Sequence, residues 1–136
     1  YVAVRDMAGG AIIEAKLSGK AEPRIWRRGL GTVNGLCLAK ERNAMFVTDS
    51  GSPVLFGANG RLLRCSLTSS DLSEHQVLKR MAFPNGVAWL PEEDCLLVTQ
   101  TYCGGPWLSG RLVRIDLASG RFNLVRLSGW PDGVVW

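Results

Sequence analysis

The sequence predicts an all-β chain built from repeated four-stranded units, the blades of a β-propeller. Three observations predict it. Short aliphatic and β-branched runs alternate with Gly, Pro, Asn and Ser clusters, the pattern of strands at regular spacing rather than of helices. Three separate phrases recur with one period of about fifty residues. Each period also holds four such runs, the content of one blade.

The phrases place the elements in order. Val33-Asn34-Gly35-Leu36-Cys37-Leu38 returns as Pro84-Asn85-Gly86-Val87-Ala88-Trp89 and again as Pro131-Asp132-Gly133-Val134-Val135-Trp136, shifts of 51 and 47 residues. This phrase opens the first strand of a unit, which runs to about residue 39 or 90. Met45-Phe46-Val47-Thr48-Asp49-Ser50 returns after 51 residues as Leu96-Leu97-Val98-Thr99-Gln100-Thr101 and makes the second strand. Gly60-Arg61-Leu62-Leu63-Arg64-Cys65-Ser66-Leu67 returns after 50 residues as Gly110-Arg111-Leu112-Val113-Arg114-Ile115-Asp116-Leu117, the third strand. A weaker copy, Gly10-Ala11-Ile12-Ile13-Glu14-Ala15-Lys16-Leu17, stands 50 residues earlier. Residues 76–80 and 122–126 supply the fourth strands. Lys40-Glu41-Arg42-Asn43 and Pro91-Glu92-Glu93-Asp94 are polar turns between strands one and two. The expected division is a partial blade over 1–31, full blades over 32–82 and 83–129, and the first strand of a further blade over 130–136.

The period excludes several repeat folds. A parallel β-helix or leucine-rich repeat needs roughly 20–30 residues or fewer per repeat. A sandwich has no reason to repeat its sequence, and the Gly-His and Trp-Asp pairs of a WD40 propeller are missing. Rings close with about four to eight blades, which 136 residues do not supply. The chain is therefore expected to be a segment of one about twice as long, its remaining blades coming from the missing part. Assembly of several copies is the alternative. The opening Tyr1-Val2-Ala3-Val4, broken at once by Arg5-Asp6, reads as the middle of a strand with no leader.

Hydrophobic residues make up 46% of the chain and charged residues 21%, ordinary globular values. No run approaches the roughly twenty apolar residues that span a bilayer, so no membrane partner is expected. The formal charge is +4. Its cations are scattered over Arg24, Arg27, Arg28, Lys79, Arg80 and Arg126, each group late in a unit. That reads as a solvated outer strand rather than a phosphate-binding face, so no nucleic-acid partner is expected. Cys37, Cys65, Cys95 and Cys103 form no CxxC pair and no metal-finger spacing. The first three sit in apolar strand patterns, as small buried hydrophobes do. The compartment stays open, with the cytoplasm as the default.

In a blade the first strand lies innermost, along the central channel. Asn34, Asn85 and Asp132 each stand at the start of such a strand. The period thus brings two amides and a carboxylate to the channel mouth, an oxygen set suited to a hard divalent cation. The Gly after each lets the backbone turn tightly and approach a ligand. The competing reading of each pair is an ordinary Asn-Gly or Asp-Gly turn.

Asn34-Gly35-Leu36, Phe83-Pro84-Asn85-Gly86-Val87 and Trp130-Pro131-Asp132-Gly133-Val134 resemble the channel motifs of the SMP-30/gluconolactonase/regucalcin family. The Phe83 phrase, with Gly110-Arg111-Leu112 after it, is also similar to strictosidine-synthase-like propellers. The resemblance implies a six-bladed propeller, of which this chain supplies roughly half, carrying one divalent metal ion at the channel mouth. Calcium is the first expectation, with zinc, manganese or magnesium as the others. It also implies that Asn85 and Asp132 ligate the metal and that Asp132 acts as general base. Asn34 would contact substrate as in lactonases, or ligate metal as in paraoxonase-type propellers. The family's first-blade glutamate has no counterpart here, and Gly35 stands where many lactonases carry Asp. The implied activity is a metal-dependent hydrolase opening a small-molecule lactone or related ester. A strictosidine-synthase-like or non-catalytic binding platform is the alternative, since fold does not dictate function.

Other catalytic classes lack their parts. The single histidine, His75, falls in the polar Ser73-Glu74-His75-Gln76 turn and leaves a Ser-His-Asp triad without a base. Gly104-Gly105-Pro106 precedes a strand and is no phosphate cradle. Asp49 is expected to cap a turn. Trp89 and Trp136 are repeat-equivalent and expected between blades, while Trp26, Trp107 and Trp130 are packing or rim residues.

Overall fold

The computed structural model describes residues 1–6, 9–16, 18–19, 21–51, 59–68, 75–102 and 109–135. Cys103, the loop 104–106, Trp107, Trp136 and the side chain of His75 lie outside the described residues. The chain is all-β. Strands β1 (Val2–Asp6), β2 (Gly9–Glu14) and β3 (Arg24–Leu30) form one antiparallel sheet in that order. Strands β4 (Val33–Ala39), β5 (Ala44–Asp49), β6 (Gly60–Ser66) and β7 (His75–Met81) form a second, four-stranded meander. Strands β8 (Pro84–Leu90), β9 (Cys95–Gln100), β10 (Arg111–Asp116) and β11 (Phe122–Arg126) form a third of the same plan. These are blade-like sheets, with the repeated phrases of the second and third on equivalent strands.

Two local expectations change. His75 opens β7, paired with Arg64, rather than sitting in the turn before it. Residues 130–135 carry no strand ladder. A strand is defined by its neighbour, and the described residues offer this segment a contact with β8 instead: Gly86 N donates to Asp132 O at 2.9 Å.

The turn between β4 and β5 is a short 3-10 helix, Lys40–Arg42, ending on Asn43 with φ 47°. Asp94, at the equivalent place between β8 and β9, has φ 49°. Asn and Asp tolerate this left-handed backbone better than other side chains do. Arg42 also donates to Asp94 through Nε and Nη2, so the two equivalent turns are tied to each other across the sheets.

The core explains why the sheets stack. Every residue of β5 is buried, so this strand faces protein on both sides. Period-two alternation then divides its side chains. Ala44 and Phe46 join Leu62, Met81, Leu96, Val98, Val113 and Ile115 between the second and third sheets. Met45 and Val47 join Ile12, Leu30, Leu63 and Cys65 between the first and second. Cys65 and Cys95 are buried in strands and Cys37 is half-buried; none of the three forms a disulfide with another. Burial pushes the Cys37 and Cys95 thiols above their ordinary range, as apolar surroundings do. Trp89 packs on the first cluster and Trp26 on the second.

Pro84 and Pro131 lie so close over Gly60 and Gly110 that a Cβ at either glycine would collide with the proline ring. The Gly-Arg phrase of one unit and the Pro-Asn/Asp-Gly phrase of the next are thus a single contact. They keep one period because they pack on each other. The scattered basic residues fall on β3, β7 and β11, the strands at one edge of each sheet, where charge discourages edge-to-edge pairing.

Candidate functional site at the inner strands

The pairing of β4 with β5 shifts register between Val33 and Leu36, and that of β8 with β9 shifts between Pro84 and Val87. Asn34-Gly35 and Asn85-Gly86 therefore sit in β-bulges inside strands. The turn reading of these dipeptides is wrong: a Gly within a strand marks a bulge or a close backbone approach, and here it marks both.

The bulge takes a backbone donor out of the ladder, and a hydroxyl replaces the lost acceptor. Gly35 N donates to Thr48 Oγ1 at 2.7 Å and Gly86 N donates to Thr99 Oγ1 at 2.8 Å. Each threonine passes its own proton to the next inner segment, Thr48 to Asn85 O and Thr99 to Asp132 O, the latter at 2.7 Å. The glycines serve this approach. A Cβ on Gly35 would strike Asn85 O, and one on Gly86 would come within 2.5 Å of Val134 N. The close neighbour expected at these glycines is thus the adjoining protein backbone.

Asn34, Asn85 and Asp132 come together on one cavity of about 320 Å³, which Leu36, Val87 and Val134 also line. Asn85 Nδ2 donates to Asp132 Oδ1 and, at 3.1 Å, to Thr101 Oγ1. Asn34 Nδ2 donates to Ser50 Oγ at 2.8 Å and reaches Pro84 O at 3.4 Å. Ser50 and Thr101 in turn donate to Pro84 O and Pro131 O at 2.7 and 2.9 Å. Among the described residues nothing donates to Oδ1 of Asn34, Oδ1 of Asn85 or Oδ2 of Asp132. The described residues contain no cluster of three His, Cys, Asp or Glu. The hub thus offers two amide oxygens and one carboxylate. These fit a hard divalent cation in kind and supply part of the roughly six to eight oxygens it takes.

Ser50, Thr48, Thr99 and Thr101 were not singled out from sequence. All four are buried. Their signal is the recurrence of hydroxyls two positions apart, hence on one face of the second strand, at the same 51-residue shift.

Asp49 lies apart from the cavity lining and is only 1% exposed. Its carboxylate accepts from Gly31 N at 3.1 Å, Gly51 N at 2.9 Å, and Arg61 Nε and Nη2 at 3.0 and 2.9 Å. Burial alone would raise its pKa. The two backbone donors and the guanidinium outweigh burial and hold it below the usual carboxylate range. Beside the hub stand three aromatic rings, with Tyr102 5.3 Å from Phe83 and 6.0 Å from Trp130. Trp130 is 62% exposed, a rim residue.

Stacked blade-like sheets with a polar cavity beside their first strands define a partial β-propeller. No family model matches this chain. The chain is similar to adipocyte plasma membrane-associated protein of Danio rerio, 26% identical over an alignment of 136 positions that covers 89% of this chain and 31% of that protein. The chain thus spans about a third of the relative's length.

Proposed function

We propose that this chain belongs to a six-bladed propeller hydrolase of the gluconolactonase type, one that opens a lactone or related ester at a divalent-cation site, calcium first among the cations. The observation that carries the reading is the meeting of Asn34, Asn85 and Asp132 on one cavity, each with one side-chain oxygen that takes no donor among the described residues. The relative's name gives that protein a location, the adipocyte plasma membrane, and no reaction, so the chemistry is argued from the site.

A divalent cation, when bound, supplies Lewis acidity toward a carbonyl and toward water. Asn85 and Asp132 would hold it, with Asn34 presenting an amide to the substrate or to the cation. Asp132 Oδ2 would accept a proton from water, a role supported by the engagement of its partner Oδ1 by Asn85 Nδ2. Leu36, Val87 and Val134 give the same cavity an apolar wall, suited to the non-reacting part of a small ester.

The test is calorimetric titration of the full-length protein with calcium, zinc and manganese, followed by a lactone screen. Asn85→Ala and Asp132→Ala should each abolish binding, and Asp132→Asn should lower kcat/KM by about 100-fold or more. Unchanged hydrolysis in Asp132→Asn would end the general-base assignment. Absence of binding in the wild type would leave a propeller that works as a binding platform.

A further inference from the structure

A count of protons at the hub gives a role to two hydroxyls that the proposed reaction does not use. A carbonyl oxygen can only accept. Ser50 Oγ lies 2.7 Å from Pro84 O, and Thr101 Oγ1 lies 2.9 Å from Pro131 O. Each hydroxyl therefore commits its single proton to a backbone carbonyl. Toward the neighbouring amide it can then act only as an acceptor, at 2.8 Å from Asn34 Nδ2 and 3.1 Å from Asn85 Nδ2. An amide turned over would set its Oδ1 against an oxygen with no proton left to give. The other neighbours enforce the same choice. Pro84 O, beside Asn34 Nδ2, is a carbonyl, and Asp132 Oδ1, beside Asn85 Nδ2, belongs to a carboxylate. The amide orientation thus follows from chemistry as well as from coordinates.

We propose that Ser50 and Thr101 are positioning residues of the hub, holding Asn34 and Asn85 with their amide oxygens free to receive a divalent cation. This deepens the hydrolase reading and rests on it for the identity of the ligand. The same two hydroxyls join neighbouring units. Ser50 sits in the unit of Asn34 and bonds the carbonyl just before Asn85, while Thr101 sits in the unit of Asn85 and bonds the carbonyl just before Asp132. Amide orientation and inter-unit contact are therefore set by one hydroxyl, carried by residues that are only 4% (Ser50) and 7% (Thr101) exposed.

Three variants of the full-length protein test this: Thr101→Val, which keeps shape and removes the hydroxyl; Thr101→Ser, which restores it; and Ser50→Ala, which addresses Asn34. In cation-free protein, the side-chain NH2 resonances of Asn85 should shift and exchange faster with solvent in Thr101→Val and return in Thr101→Ser. Those of Asn34 should respond in the same way to Ser50→Ala. In calcium titrations Thr101→Val should weaken binding by about tenfold or more, and Thr101→Ser should stay within about threefold of wild type. Unmoved amide resonances overturn the proposal, as does wild-type calcium affinity in Thr101→Val or a failed rescue by serine. If Thr101→Val does not fold, Ser50→Ala decides. If the wild type binds no calcium while the resonances respond, the positioning role stands and the cation-site reading fails.

Discussion

Asp49 shows how much one buried side chain can hold. It ends β5 and gathers two backbone donors and a guanidinium from three segments, at Gly31, Gly51 and Arg61. Removing it takes the acceptor from all three, which are only half-buried, and loses an ion pair whose carboxylate is buried. Asp49→Ala should lose about 2–4 kcal/mol of unfolding free energy at pH 7, read by urea denaturation. The pH dependence follows from the direction of its pKa. The folded value lies below the unfolded one of about 4, so the unfolded chain takes up the proton first as pH falls. The stabilisation is complete above about pH 5 and is lost as pH drops through the lowered folded value. The stability gap between wild type and Asp49→Asn should therefore narrow on acidification below pH 5, and a gap independent of pH would contradict the assignment. From sequence Asp49 reads as a turn cap. The Gly51 contact fits that description, while Gly31 and Arg61 are partners that only the packed sheets bring near. The three hub residues were legible because a fixed period carries any position to the same place in the next unit. The hydroxyls behind them were not, because Thr and Ser in a strand look like ordinary β-formers.

At the scale of the strand, the repeat fixed pairing and order well and backbone detail poorly. Residues Asn85-Gly86 carry the sequence of a turn and the structure of a bulge, where the backbone at 133–134 approaches closely enough to exclude a Cβ at Gly86. That approach is a property of two neighbouring units, invisible in either phrase alone. It yields a sharp expectation. An added methyl at Gly86 must displace main chain at 133–134, which has no flexible end to yield. Gly86→Ala should therefore cost about 1–3 kcal/mol in thermal or chemical unfolding, as overpacked sites do. The same variant should disturb the Gly86 N to Asp132 O contact, so Asp132 resonances should shift even though its side chain is untouched. A neutral Gly86→Ala would mean that β8 and the backbone at 133–134 stand further apart than described.

Across the whole molecule, the second sheet is shared between two cores. Phe46 and Leu62 face the third sheet, while Met45, Val47 and Leu63 face the first. In linear repeat arrays, stability is close to a sum of unit terms and neighbour-interface terms. Here the interface terms are large, because the strand that supplies both of them is buried at every position. Phe46→Ala, at 1% exposure, should cost about 3–5 kcal/mol. How that cost spreads tests the architecture. If one cluster spans two sheets, native-state hydrogen exchange should show protection falling in β9 and β10 together with β5 and β6, while β1 and β2 lose less. Met45→Ala should give the opposite pattern, weakening the first sheet with the second. Loss of protection confined to the second sheet in both variants would mean that the sheets open separately, and the hub residues, drawn from different units, would then lack a common frame. Coupled loss would mean that packing between sheets is what keeps Asn34, Asn85 and Asp132 at one cavity.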